Sequence, residues 1–261
     1  MNWTHWSFQA LFLIATAGAT LHVARVRDAR LRLWTLQLTL LACLLLPMLA
    51  PTLPSIVIPF DGVVSAPSGI ASRVTLTFSP RYVWLLGATV VLSRLLLAMM
   101  RVRSLRKQSQ PFEQRGAVEI RTSVEVVSPV TFGFLHPLVL LPETARTVEV
   151  EVREPMIAHE LEHIRRKDWL MVLAEEIIRA AAWFHPAVWW LLSRIRAARE
   201  QLIDAAVAQA AGADRYAESL LTAARWRASL RETQPFPAVA MHGGGSLEQR
   251  LQRPSIIIPK R

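Results

Sequence analysis

Only one cysteine, Cys43, occurs in the 261 residues. A lone cysteine excludes an internal disulfide framework and any zinc site built on cysteine thiolates. Acidic residues are also scarce, with 20 Asp and Glu against 30 Lys and Arg and a formal net charge of +10. No recognisable nucleic-acid motif accompanies that surplus, and most of it flanks apolar runs, so no direct nucleic-acid partner is expected.

Charge of either sign is missing from long stretches near the N-terminus. Ser7 to Ala24 and Leu33 to Leu53 contain no Lys, Arg, Asp or Glu, and Tyr82 to Met100 contains only Arg94. Each is long enough to cross the roughly 30 Å apolar layer of a bilayer as a helix. Three spans are therefore expected, at about 7–24, 33–53 and 82–100, within a transmembrane region of residues 1–103. A cleaved signal peptide fits the first stretch poorly, because no Lys or Arg precedes Arg25. At 52% hydrophobic residues the whole composition agrees with a membrane chain whose first partner is the lipid bilayer.

The basic residues set the expected orientation. Arg25, Arg27, Arg30 and Arg32 crowd the first connection, and Arg101, Arg103, Arg106 and Lys107 follow the third span. Between spans two and three the basic residues are only Arg73 and the bordering Arg81. Positive charge accumulates on the cytoplasmic side, which puts the N-terminus outside and everything after about residue 101 in the cytoplasm. Trp3, Trp6, Trp34 and Trp84 lie near span ends, where amphipathic aromatics settle. Arg94 is expected to snorkel toward the cytoplasmic end.

The remaining segments are read from their punctuation. About residues 50 to 80 form an outer loop rich in Pro, Ser and Gly, with a strand expected at Arg73 to Phe78 and too little chain for a ligand-binding domain. Residues 104–116 read as a polar linker. Val118 to Val127 alternates, and Val130 to Leu141 is apolar around Gly133 and Pro137, which together predict a small sheet. Along 169–192, Glu175, Glu176 and Arg179 interrupt an apolar pattern that His185-Pro186 then breaks, predicting a helix that abuts the membrane rather than a fourth span. Glu175 and Arg179 are spaced to pair at i, i+4. Pro235 to Gly245 is loop-like, and 232–261 reads as a tail without a further span.

The chemistry concentrates in His159-Glu-Leu-Glu-His163. On a helix, histidines at i and i+4 share one face and can grip one metal ion, while Glu160 stands beside them as a base for a water that the ion polarises. That is the arrangement of zinc hydrolases. A helix is predicted here with Pro155 at its first position, apolar residues at helical intervals and Arg165, Arg166 and Lys167 at its end. A catalytic zinc needs a third protein ligand from another element. Pro186 to Ala211 reads as a long helix closed by Gly212, and on it Glu200 and Asp204 lie one turn apart. Glu200 is the candidate third ligand and Asp204 the candidate acceptor that orients a ligating histidine. On spacing alone, a solvated acidic face paired with Arg196 and Arg199 explains the two residues equally well. His136 and His185 are read as structural.

The blocks SPVTFGFLHPLVLLPE, HELEHIRRKDWL, WFHPAVWWLLSRIRAAREQLIDAAV and YAESLLTAA, from Ser128 to Ala224, resemble the BlaR/MecR family of integral-membrane metallopeptidases, the sensor-transducers of beta-lactam resistance. The resemblance implies His159, His163 and Glu200 as zinc ligands, Glu160 as the catalytic base and Asp204 as their support. Ile203 stands where the family commonly has Cys before the Asp, which touches no proposed ligand. It also implies a protein substrate at the cytoplasmic side, a transcriptional repressor or the enzyme itself, with a homodimer among the arrangements expected. Family members often continue into an extracellular sensor, and neither that domain nor the helix leading to it is expected here.

The expected fold is thus a mainly α membrane protein with three transmembrane helices and a cytoplasmic α+β metallopeptidase region of gluzincin type, residues 117–231, containing a small β-sheet. The alternative is a noncatalytic membrane module that keeps the zinc fold for signalling or scaffolding. The intact Glu160 speaks against it, because a scaffold needs no base.

Overall fold

The computed structural model describes residues 3–49, 80–133 and 135–233. Helices α1 (Trp3–Val23) and α2 (Ala29–Leu49) form an antiparallel pair, and Asp28 Oδ1 accepts the Arg30 amide at 2.8 Å to cap α2. The long α3 (Pro80–Gln108) follows. Among the described residues these three helices are long and apolar enough to cross a membrane, over His5–Val23, Ala29–Pro47 and Arg81–Gln108. Their outward faces carry Phe8, Phe12, Leu38, Leu86 and Leu97, each more than half exposed, as lipid contact favours. The last residues of the expected second span, the outer loop with its strand at Arg73 to Phe78, and residues 234–261 lie outside the described residues.

A helix need not end where its apolar run ends, and that separates the observed spans from the expected ones. α3 continues past Met100, and its Val102 and Leu105 pack with Phe132, Leu138 and Leu140 of the sheet. Residues 104–116 are therefore not a linker. They hold the end of α3 and strand β1 (Gln110–Arg115), which pairs antiparallel with β2 (Val118–Ser123).

The sheet is completed by β3 (Val130–Phe132) and β4 (Leu138–Pro142), in the order β1-β2-β4-β3. β2 and β4 run parallel, and β3 and β4 antiparallel. β4 is buried along its whole length because both its faces are covered, Val139 and Leu141 by Ile157 further along the chain and Leu138 and Leu140 by Val102 and Leu105 of α3, which explains its unbroken apolar run. The alternation expected through Val127 stops at Ser123, and Val124 is exposed in the turn that follows. The apolar run from Val130 divides at Gly133, whose φ is +94° and where a Cβ would stand 2.5 Å from the His136 carbonyl oxygen. β3 is thereby an edge strand.

Helix α4 (Val150–Arg165) lays Ile157 against Ile120, Val139 and Leu141 of the sheet. It begins five residues before Pro155, not at it. The carbonyl that Pro155 cannot bond belongs to Glu151, which is exposed and so open to water. Three helices follow: α5 (Asp168–Ala181), α6 (Pro186–Ala211) and α7 (Ala213–Thr233). The bounds of α6 are those that Pro186 and Gly212 mark in the sequence. α7 returns across α4, where Ala223 packs with Val152 and Met156.

α5 and α6 stand against the spans as a hairpin. Ala182, Val188, Leu191, Leu192, Ile195 and Ala198 share one buried cluster with Ala10, Ile14, Leu33, Leu36, Leu40 and Cys43 of α1 and α2. Trp84 donates to the Ala181 carbonyl at 2.9 Å, and Trp183 donates to the Trp84 carbonyl at 3.1 Å. A Cβ at Gly87 would overlap the Trp183 indole, so the absence of a side chain there permits the approach. His185 is structural: its Nδ1 accepts the Val188 amide at the start of α6 and its Nε2 donates to the Ser7 carbonyl at 3.1 Å. His136 is exposed in the β3–β4 turn. The expected Glu175–Arg179 pair does not form: Glu175 pairs across elements with Arg199 of α6, and Arg179 pairs within α5 with Glu176 at 3.6 Å. Apolar burial thus crosses between residues 1–103 and 117–231, and strand pairing after the spans begins at Gln110.

Candidate metal site

Helical spacing puts His159 and His163 on one face of α4, and α6 crosses that face carrying Glu200. The two Nε2 atoms lie 3.2 Å apart. Glu200 Oε2 is 3.6 Å from His159 Nε2, and its Oε1 is 3.5 Å from His163 Nε2. One ligand atom from each of the three residues falls within 4.8 Å of the other two.

Hydrogen bonds on the far side of each ring decide what these atoms offer. Asp168 Oδ2 is 2.9 Å from His163 Nδ1, and since a carboxylate only accepts, Nδ1 carries the proton and Nε2 a lone pair. Tyr216 donates to Asp204 Oδ1 at 2.6 Å, so its oxygen accepts from His159 Nδ1 at 2.9 Å. His159 Nε2 is again left as a lone pair. Two unprotonated nitrogens at this distance cannot hydrogen-bond to each other. Ligand atoms of a tetrahedral zinc bound at ~2.0–2.2 Å are roughly 3.3–3.6 Å apart. The donor set, two imidazole lone pairs and a carboxylate, therefore fits a small divalent cation in chemistry and in spacing.

Electrostatics point the same way. Burial alone would push the His163 pKa down, but the bond to Asp168 and the negative charge of Glu160, Glu200 and Asp168 outweigh it and hold the pKa above the ordinary histidine value. The site attracts positive charge, as a proton or as a metal ion.

Glu160 is buried beside this cluster, and Thr131 of β3 donates to its Oε2 at 2.6 Å. The edge strand thus fixes the carboxylate that the motif supplies. Asp204 is buried and 3.4 Å from His159 Nδ1, with the Tyr216 hydroxyl bridging the two. The solvated acidic face does not form: Glu200 turns to the histidines, while Arg199, only 2% exposed, engages Glu175 and stands 3.6 Å from Asp168.

Sequence reasoning brings His159, Glu160, His163, Glu200 and Asp204 to one place and misses Asp168, Tyr216, Thr131 and Arg199. Asp168 and Tyr216 stand in HELEHIRRKDWL and YAESLLTAA, two of the blocks that carry the resemblance, but neither has helical spacing to the histidines. Asp168 arrives through a chain reversal at Lys167 (φ +57°), and Tyr216 through the turn at Gly212.

Comparison with known proteins bears on the same region. Residues 70–253 match the family described as BlaR1 peptidase M56. The regulatory protein BlaR1 of Bacillus licheniformis is 28% identical over 141 residues, which is 48% of this chain and 24% of that protein's length.

Proposed function

This chain belongs to the BlaR1 peptidase family M56 and is a membrane protein; from that premise we propose that it is a zinc-dependent endopeptidase of gluzincin type, acting on a protein substrate at the cytoplasmic face of the bacterial inner membrane. The observation that carries the reading is the convergence of two Nε2 lone pairs and the Glu200 carboxylate on one point, with a second carboxylate, Glu160, held beside them. His159, His163 and Glu200 would hold the zinc, which supplies Lewis-acid polarisation of a carbonyl and of a water when bound.

The protein's own part is proton handling and alignment. Glu160 accepts the proton of the attacking water and returns it to the departing amine, and Thr131 keeps its Oε2 in place for both transfers. Asp168 and the Tyr216–Asp204 pair fix the two rings so that neither turns its N–H toward the metal point. β3 is the edge strand beside α4, so an extended substrate added to that edge would pass the Glu160 carboxylate. A cytoplasmic transcriptional repressor, or a second copy of this chain, is the substrate class the family relationship favours.

Glu160→Gln tests the reading. It keeps size and polarity but removes the base, and such a loss lowers rates by about a hundredfold or more. Membranes from cells expressing wild type should contain cleavage products of the chain or of a co-expressed repressor, and those expressing the variant should lack them at equal zinc content. Equal cleavage by both would make the mechanism wrong. If neither cleaves, the noncatalytic module replaces it.

A further inference from the structure

Helix α5 is inside out. Each of its exposed positions is apolar, namely Leu170, Met171, Ala174, Ile177 and Ala181, whereas its charged side chains are turned inward. Glu175 pairs with Arg199 of α6, and Glu176 pairs with Arg196 of α6 at 3.2 Å and with Arg179. A helix on a water-facing surface shows the reverse pattern. Charges paired within the protein and apolar residues outward are what a lipid surround demands. The same outer surface continues through Phe184, Trp189 and Trp190, which are 36%, 44% and 40% exposed.

The hairpin also has the right reach. Its tip meets Trp84 and Ser7, both about one turn from the span ends remote from the sheet, since α3 enters the sheet by its other end. From Asp168 to Ala181, α5 rises roughly 20 Å at 1.5 Å per residue. An apolar layer is about 30 Å thick. The first exposed charge along α6 is Arg194, well below the tip, and its guanidinium lies 5.1 Å from the Trp190 ring centre, free to snorkel toward the foot of the hairpin.

We propose that α5, the 182–185 connection and the first turns of α6 form a re-entrant hairpin immersed in lipid beside the three spans. Asp168 and His163 at its foot then lie near the edge of the apolar layer. On the peptidase reading, a substrate segment would have to run along the membrane surface to reach them.

Site-directed spin labelling tests the immersion without reference to activity. The full chain carrying Cys43→Ser is reconstituted in vesicles of phosphatidylethanolamine and phosphatidylglycerol, with a nitroxide placed singly at residue 177, 184 or 189. Position 90 on the outer face of α3 gives the lipid reference and position 151, exposed on α4, the aqueous one. Zinc content equal to that of the unlabelled protein certifies folding. Labels at 177, 184 and 189 should collide with oxygen severalfold more than with a water-soluble nickel chelate, as position 90 does. Chelate-dominated collisions like those at 151 would overturn the proposal. So would protection from both reagents, because that would mean another protein surface, such as a second copy of the chain, covers the face.

Discussion

Asp168 closes back on His163, five residues earlier, with Oδ2 2.9 Å from Nδ1. The contact exists because α4 ends at Arg165 and Lys167 takes a left-handed conformation that reverses the chain and starts α5 under the histidine. A lysine in that region carries a conformational cost of about 1–2 kcal/mol, which the surrounding fold has to sustain. What it secures is a carboxylate that fixes the tautomer of the His163 ring, whose Nε2 faces the candidate metal site.

Asp168→Asn should lower zinc affinity by about 10- to 100-fold, the usual effect of removing such a partner from a ligating histidine. Competition with a fluorescent chelator in detergent measures it. Arg199→Lys, which keeps a cation near the unaltered Asp168, should lower affinity less than the asparagine does. Unchanged affinity in Asp168→Asn would relegate the contact to helix capping.

Glu200→Ala should abolish stoichiometric zinc binding, since two histidines alone seldom retain the ion. Metal analysis of the purified variant decides the matter. A near-normal zinc content would move the third ligand elsewhere.

Arg115 grips Glu154 through two hydrogen bonds of 2.8 and 2.5 Å, tying β1 to α4. The Arg115 bond holds the Glu154 carboxyl below its ordinary value, against the opposing effect of burial. A depressed folded-state pKa contributes stability above the unfolded value, near 4.3, and loses it as pH falls through the folded one. The pair is partly exposed, so Glu154→Gln should cost no more than about 1 kcal/mol at pH 7. Thermal unfolding in detergent should show that gap closing below about pH 4. A gap that persists in acid would assign the loss to packing instead.

From the clustering of arginines after the first and third spans, we expect an outside N-terminus and a cytoplasmic region after the third span. Alkaline phosphatase and β-galactosidase fusions after residues 30, 65 and 120 should report inside, outside and inside. An outside signal at 120 would exclude cytoplasmic substrates.

The spans and the histidine pair were legible in the sequence because both depend on neighbours along the chain. A run without charge is a local property, and the 3.6-residue turn alone puts His159 and His163 on one face. Glu200 needed more: its spacing to Asp204 left a solvated face open, and the resemblance of several ordered blocks tipped the balance. The 104–116 linker failed for the opposite reason. Its polar composition hides Val102 just before it and Leu105 within it, whose partners Phe132, Leu138 and Leu140 in the sheet are 27 or more residues away.

Sequence by itself determined which segments are apolar, which helix carries the paired histidines and which carboxylates are available to them. Tertiary structure decided who orients whom. Asp168 reaches His163 through the reversal at Lys167, Tyr216 reaches His159 through the turn at Gly212, and Thr131 reaches Glu160 because the strand order leaves β3 at an edge. It also decided the sense of α5, since the same pattern of apolar and charged positions serves water or lipid according to which face its neighbours cover. Only when α6 presents Arg196 and Arg199 to Glu176 and Glu175 do the charges turn inward and the apolar stripe face out.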